Sequence, residues 1–339
     1  MRYLVTGATG FIGGRLARRL VAEGHRVVTI ARDPGRAGDL VALGVEVHRG
    51  DITDRASLDR PMAGVDGLFH VAAWYRIGAR DGGEGRRINV DGTRNVLEAM
   101  RAAGVKKGVY TSTLAVFGDT HGKRVDEGYF TPGPFDTEYE RTKWAAHYQV
   151  AVPMMEQGLP LVIVQPGLVY GPGDTSSVRV TLHQFLRRRL SMLPERTAYC
   201  WAHVDDTVTG HLLAMEKGRV GESYIIAGPP HTLVEAMALA SRLSGVPVPR
   251  MRASPLLLRA MAGVMDVVGR FVALPGSYTS EGLRVIAGTT YLGDNAKARR
   301  ELGYAPRPLE EGLRETLLHE MKELGLEPPR ASGGPPGSS

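Results

Sequence analysis

The sequence predicts an α/β protein: a doubly wound parallel sheet with helices on both faces, carrying a smaller, mostly helical C-terminal lobe. Three observations predict it. The opening residues MRYLVTGATGFIG run an apolar strand straight into Gly7, Gly10 and Gly13, and a helical pattern follows at once. Strand-like and helix-like segments then alternate through the first half with short turns, as a parallel sheet with crossover helices requires. Beyond Tyr170 the alternation becomes less regular, as a lobe set on the sheet would make it.

The elements follow in order. Tyr3–Thr6 is expected as a strand and Gly13–Glu23 as an amphipathic helix. His25–Ala31 is a second strand, Leu40–Leu43 a short helix, Glu46–Arg49 a third strand and Gly67–Val71 a fourth. Glu84–Ala103 reads as a long helix, Lys107–Ser112 as a strand, Thr137–Gln157 as a helix and Leu161–Pro166 as a strand. Asp205–Glu216 (helix) and Ser223–Ala227 (strand) are expected to return to the first domain. Thr232–Leu243 and Pro255–Leu274 build the lobe, which Asp294–Glu301 and Leu309–Leu324 close. The division expected is residues 1–170 with 203–228 as the dinucleotide-binding domain, 171–202 with 229–327 as the substrate lobe, and 328–339, PPRASGGPPGSS, as a disordered tail.

Composition narrows the function. The chain has 339 residues, enough for two domains or one large domain with a lobe. Its hydrophobic fraction of 43% and charged fraction of 23% are those of a soluble globular protein. One cysteine, Cys200, excludes an intramolecular disulfide and a thiolate metal cluster, and fits a reducing compartment. A strand beginning at Tyr3 leaves no room for a signal peptide, so a cytoplasmic protein is expected. The net charge of +6 raises nucleic-acid binding. The arginines are scattered, however, and the longest run, Arg187-Arg188-Arg189, reads as a solvated face on a helix-like stretch, so no nucleic-acid partner is expected. In Pro255–Leu274, Arg259, Asp266 and Arg270 fall on one helix face. That makes an amphipathic lobe helix, covering the core or walling a substrate pocket, and no stable membrane insertion is expected.

Several motifs carry chemistry. In the strand–turn–helix, Gly7 permits a tight turn, Gly10 lets backbone approach a pyrophosphate, and Gly13 allows close helix packing. The helix N-terminus offers free N–H groups to the anion. Thr9, Phe11 and Ile12 lie in the same turn and are assigned to the cofactor with the glycines. The acid that bonds the ribose in NAD-binding units is expected about 20 residues further on. Ala31 falls there, with Arg32 next. A guanidinium without a carboxylate favours a 2′-phosphate, hence NADP(H). Asp33 would restore NAD if the strand ended later. Asp51, with Ile52, follows the third strand and either accepts from adenine or caps a helix over Thr53–Leu58.

The strongest catalytic signal is Tyr139-Glu140-Arg141-Thr142-Lys143. Spacing of four sets Tyr139 and Lys143 on one helix face. A nearby ammonium favours tyrosinate and lowers the tyrosine pKa. Thr137 and Glu140 form a T-x-x-E capping box that puts Tyr139 in the first helical turn. Thr111-Ser112-Thr113 ends an upstream strand, where a hydroxyl would polarise a carbonyl. The histidines show no metal-ligand spacing. His203-Val204-Asp205-Asp206 lacks partners for a metal, so His203 reads as a packing residue and no metal is expected. Trp74, Tyr75, Phe117, Phe135, Trp144, Tyr199 and Trp201 are candidates for an apolar wall, at least half of them expected as ordinary core.

These motifs resemble the extended short-chain dehydrogenase/reductase family, of the NAD-dependent epimerase/dehydratase kind. The resemblance runs from TGATGFIG (Thr6–Gly13) through FHVAA (Phe69–Ala73), NVDGTRNVLEA (Asn89–Ala99), STLAVFG (Ser112–Gly118), YERTK (Tyr139–Lys143), PGLVYGPGD (Pro166–Asp174) and AHVDD (Ala202–Asp206) to LGYAPRPLEEGLRET (Leu302–Thr316). It implies a Rossmann domain, Thr113 as the catalytic hydroxyl, Tyr139 as acid–base, and Lys143 holding the nicotinamide ribose and tuning Tyr139. It also places Val71, Ala72, Ala73, Thr111, Pro166, Gly167 and Val169 along the cofactor. Two positions depart from the nucleotide-sugar branch. Leu168 replaces an Asn and Tyr199 an Arg that would contact a diphosphate. The segments ARDP, FHVAA and PGLVYGPGD are closer to dihydroflavonol reductase-like and hydroxysteroid dehydrogenase-like branches. FHVAAWYRIGARD (Phe69–Asp81) is also similar to proteins described as sugar epimerases of hopanoid gene clusters.

The expectation is therefore an NADP(H)-dependent ketone/aldehyde–alcohol oxidoreductase, with NAD as the alternative cofactor. Its substrate is small and apolar or aromatic, contacted by Ser112, Thr113, Trp74, Tyr75, Leu168 and Tyr199. The rival readings are a sugar epimerase or dehydratase that returns its cofactor, and a non-catalytic cofactor sensor. A homodimer is compatible with either enzyme.

Overall fold

The protein's structure, a computed structural model, describes residues 1–75, 83–268 and 279–327. The apolar runs of the first half form parallel strands: β1 (Arg2–Thr6), β2 (Arg26–Ala31), β3 (Glu46–Arg49), β4 (Gly67–His70), β5 (Gly108–Thr111) and β6 (Leu161–Pro166). After β7 (Leu168–Tyr170), β8 (Met192–Pro194) and β9 (Ala198–His203), the chain returns as β10 (Ser223–Ile226), which pairs with β6. The seven-stranded order is β10-β6-β5-β4-β1-β2-β3. The order reverses between β1 and β4, and such a reversal opens a crevice at the C-terminal strand ends, where a ligand can sit.

Both faces of the sheet are covered. All six residues of β6 are buried, as expected of a strand packed on both sides. Side chains alternate between two cores. Leu4, Leu68, Tyr110 and Ile163 enter one, Val5, Phe69, Val109 and Val162 the other. The long helix expected over Glu84–Ala103 spans 84–102, with Arg87–Asp91 wound as a π-helix. The one expected over Thr137–Gln157 spans 138–156, with a π segment at His147–Ala151. π segments inside α-helices recur at functional sites.

A second sheet joins β11 (Pro230–Thr232), β9 and β13 (Thr290–Tyr291), with β7 also on β9. A two-stranded sheet joins β8 to β12 (Met251–Ala253). Helices Ser177–Leu186, Leu233–Ser244 and Leu309–Glu323 share a third core with Tyr170 and Trp201.

Three expectations change. Arg187-Arg188-Arg189 is not on a helix: the helix ends at Leu186, and Arg188 takes φ 56°, which α-helix forbids. Asp51 caps no helix, because Asp54 caps Arg55–Leu58 by accepting from Ala56 N–H. The helix from Pro255 is described to Val268, and its outer face is apolar, with Leu256 80% exposed. The end of that expected helix, Arg270 included, and the expected disordered tail 328–339 lie outside the described residues. Among the described residues no helix is long and apolar enough to cross a membrane.

Candidate functional site

The glycine turn sits at the reversal point. Gly7 has φ 74°, and a Cβ there would lie 2.8 Å from the Ala72 backbone. A Cβ on Gly13 would lie 2.3 Å from the Gly7 carbonyl oxygen, so the helix start can rest on the turn only as glycine. Gly10 is the N-cap of helix Phe11–Ala22 and supplies no side-chain cap. The first N–H groups of that helix are therefore available to an anion. Thr9 is exposed beside them, and Phe11 and Ile12 are half-buried in the first turn.

At the end of β2, Ala31 is buried and Arg32 exposed. Asp33 accepts from Gly35 N–H at 3.0 Å and caps the short turn Pro34–Ala37. Its carboxylate is engaged locally, and Arg32 makes no ion pair among the described residues. Asp51 accepts from Thr53 N–H at 2.9 Å through one oxygen. Ile52 is buried, its carbonyl held by Asn95 at 2.9 Å.

Beyond β4 a polar network fixes the loop that faces the turn. Thr6 Oγ1 accepts from Val71 and Ala72 N–H, each at 3.2 Å, so its own hydrogen goes to His70 Nδ1 at 2.8 Å. His70 Nε2–H then donates to Thr93 at 3.1 Å. Burial, with the Lys143 charge second, pushes His70 down to about 3, so it stays neutral. Ala73 is exposed beyond this clamp.

The motif reading did not single out Asn89. From the π segment it accepts from Trp74 N–H at 2.7 Å, and donates to Trp74 carbonyl and Thr142 Oγ1, each at 3.0 Å. It ties the loop to the tyrosine helix. The signal was present in the NVDGT run but carried no chemistry without the fold.

The tyrosine helix starts on the expected capping box. Thr137 Oγ1 accepts from Glu140 N–H at 3.0 Å, and Glu140 accepts from Thr137 N–H at 2.9 Å. Tyr139 lies in the first turn. Its pKa is raised by burial, with the Tyr75 phenol second, while the Thr113 hydroxyl opposes the rise. Lys143 therefore does not dominate Tyr139 here as the spacing suggested. Lys143 is buried, donates to the Thr111 carbonyl at 2.8 Å and Tyr110 OH at 3.2 Å, and is pushed down to about 7 by burial. Glu140 receives a hydrogen bond from Tyr291 OH, and burial raises its pKa.

The three hydroxyls ending β5 part company. Thr111 donates to His211 Nε2 at 2.8 Å, because His211 Nδ1–H already donates to the Thr207 carbonyl. Ser112 is buried and shares a 2.7 Å hydrogen bond with His147 Nδ1. That bond ties the end of β5 to the π segment of the tyrosine helix. Thr113 accepts from Ala115 N–H at 3.2 Å and leaves its own hydrogen to donate.

Past β6, Pro166 is buried, and a Cβ on Gly167 would lie 2.1 Å from the Cys200 carbonyl oxygen. Leu168 and Val169 are half-buried in β7, where Leu168 packs on the third core. Tyr199 stacks on Tyr291 at 5.8 Å, and Tyr75 meets Tyr139 edge-on at 4.8 Å. Trp74, Phe117 and Trp201 are buried, and Trp144 packs with Phe135 and Phe130. Tyr75 with Tyr139 and Tyr199 with Tyr291 thus form two aromatic pairs.

His203 does find a third partner: its ligand atoms lie within 4.8 Å of those of Asp205 and Glu315. Both carboxylates are already paired, Asp205 with Arg15 at 2.8 Å and Glu315 with Arg307 at 3.1 Å. The cluster reads as an ion-pair network that ties the glycine-turn helix to the C-terminal helix.

Comparison with known proteins follows this geometry. The family model described as "NAD dependent epimerase/dehydratase family" matches residues 3–227. "Sterol demethylase protein B" of Methylococcus capsulatus is 34% identical, over 90% of this chain and 94% of its own. The 4-hydroxy-2-methyl-3-oxo-4-farnesyl-3,4-dihydroquinoline-1-oxide ketoreductase of Stigmatella aurantiaca is 32% identical, over 91% of this chain and 92% of its own. The crystal structure of gox2253 superposes with a TM-score of 0.81 at 31% identity, covering 96% of this chain and 99% of that one.

Proposed function

The chain belongs to the NAD-dependent epimerase/dehydratase family of extended short-chain dehydrogenases/reductases, and from that premise we propose that it is an NADP(H)-dependent enzyme interconverting a ketone or aldehyde with an alcohol on a small, apolar or aromatic substrate. The glycine cradle fits a dinucleotide, since a Cβ at Gly7 or Gly13 would collide with backbone and the helix N-terminus carries no side-chain cap. Arg32, free of ion pairs among the described residues, suits a 2′-phosphate. The nicotinamide, when bound, supplies or accepts the hydride. Tyr139 gives a proton to the carbonyl oxygen on reduction and takes it back on oxidation. Thr113 donates a hydrogen bond to the same oxygen, and Lys143 holds the ribose hydroxyls. Residues 1–170 and 203–228 would bind the cofactor, and the remaining lobe the substrate.

The observation that carries this reading is the lining. Leu168 and Tyr199, at the positions where the nucleotide-sugar branch carries an Asn and an Arg, would offer a diphosphate hydrocarbon and a ring instead of donors. The two arginines best able to rebuild an anion site are engaged: Arg179 with Glu320 at 2.9 Å, and Arg284 with Asp266. The ketoreductase relative acts, by its name, on a farnesylated ring compound. The test is stoichiometry with a panel of aromatic and alicyclic ketones. One NADPH consumed per alcohol formed is expected, and Tyr139→Phe should remove most turnover while keeping fold and cofactor affinity. Turnover of a nucleotide sugar with no net cofactor change would overturn the reading.

A further inference from the structure

We propose that the outer face of the Pro255–Val268 helix, with the arginines around it, adsorbs reversibly to an anionic lipid bilayer. The helix has two apolar faces and uses one. Leu258 and Ala262 pack inward with Leu283 and Ala287. On the other side Leu256 is 80% exposed, Leu257 48% and Val264 58%, with Met251 at 61% just before the helix. Positions 256, 257, 260 and 264 follow helical spacing, so they form one stripe. Isolated exposed leucines are ordinary, but a continuous stripe is not.

The charge around the stripe is mostly positive. β8 and β12 pair in parallel with Met192 opposite Met251, so the segments entering them, Arg187–Arg189 and Arg250, arrive at the same end. Arg196 leaves β8 beside the helix start: a Cβ on Gly288 would touch both Pro255, at 2.8 Å, and Arg196, at 3.6 Å. Arg252 and Arg259 lie on β12 and on the helix itself. All of these arginines are exposed, and none makes an ion pair among the described residues. The acids nearby are Glu195, Asp266 and Glu281; Asp266 is held by Arg284, and Glu281 accepts from Glu138 N–H at 2.9 Å.

An apolar stripe in a collar of unpaired arginines is the pattern of an interfacial helix on anionic lipid. A second copy of the chain fits worse, because burying two such stripes together would bring two arginine collars into contact. Among the described residues no helix is long and apolar enough to span a bilayer, so the proposed binding is adsorption and reversible. The inference does not rest on the reaction proposed above.

The full chain is floated with phosphatidylcholine vesicles, with and without phosphatidylglycerol. Binding is expected with phosphatidylglycerol, weakening as salt rises. Leu256→Asp/Leu257→Asp, and separately Val264→Asp, should lower the bound fraction roughly tenfold or more at an unchanged melting temperature, since the stripe touches no core. Arg187→Gln/Arg188→Gln/Arg189→Gln should also lower it and flatten its salt dependence. Failure to bind the anionic vesicles would overturn the proposal. Binding that both stripe variants leave intact would do so too, as would a stable dimer in solution that Leu256→Asp/Leu257→Asp splits.

Discussion

Lys143 is a cation held without a carboxylate. Its partners are the Thr111 carbonyl and the Tyr110 phenol, and its ammonium also lies 4.8 Å from the Tyr110 ring centre. Burial pushes its pKa from 10.5 to about 7. A lysine depressed in this way binds fewer protons folded than unfolded between those two values, so stability rises with pH across that window. Below about 7 the folded protein carries the whole penalty, and above about 10.5 none of it. Lys143→Met should therefore be most favourable to stability at pH 6 and lose that advantage steadily by pH 9.5. Thermal melts at the two pH values check this, and an advantage that grows with pH would contradict the burial argument. At the other end of the crevice, Arg32→Ala should weaken NADPH binding roughly tenfold or more, the worth of a charge-assisted phosphate contact, and leave NADH nearly unchanged. Fluorescence titration of both cofactors decides it, and NADH binding as tightly as NADPH to the unaltered protein would refute the preference.

At the scale of elements, the tyrosine helix depends on its first turn. The capping box satisfies N–H groups at Thr137 and Glu140, and Asn89 ties Thr142 to the Trp74 backbone. Thr137→Ala should cost about 1 kcal/mol of stability. Asn89→Ala should cost more, because it strands the buried Trp74 N–H at about 1–3 kcal/mol. Urea unfolding of the two variants ranks them, and an Asn89→Ala no weaker than Thr137→Ala would show that the loop finds other partners. The capping box is legible in sequence because it is local, three residues apart and chemically specific. The Asn89 clamp is not, because its partners sit 15 and 53 positions away. Length decided which strands could be seen. β6, six residues that open on the apolar run Leu161–Val164, is read to the residue, whereas β7, β8, β11 and β12 have three residues each, too few to alternate. The π segments were also invisible, since one extra residue per turn barely disturbs a helical pattern. Ser112 shows the limit at the site itself: its type suggests a substrate contact, and its partner His147, 35 positions away, is visible only in the fold.

At the scale of the molecule, the proposed site would join a charged end to an apolar end. The glycine turn and Arg32 suit a dinucleotide phosphate, while Tyr75, Tyr139, Tyr199 and Tyr291 suit a neutral ring. The second sheet builds the apolar end by setting Tyr199 on β9 beside Tyr291 on β13. A diphosphate placed there would lose water without gaining a donor, and a buried charge without a partner is expensive. A neutral alicyclic or aromatic carbonyl compound carries no such cost and gains about 25 cal/mol per Å² of apolar surface buried. Arg179 could serve a diphosphate only by leaving Glu320, whose buried carboxylate would then keep two histidines, His183 and His319, beside it and no permanent cation. Breaking a buried pair of that kind costs about 3–5 kcal/mol, more than a second anion contact would return. UDP and UDP-glucose at millimolar concentration should therefore leave the melting temperature unchanged, whereas aromatic or alicyclic ketones or alcohols should raise it when NADP(H) is present. The measurement is a thermal-shift series with and without cofactor. A clear rise with a nucleoside diphosphate, absent with every neutral carbonyl compound tried, would mean that Arg179 does exchange partners, and would move the enzyme to the epimerase side of its family.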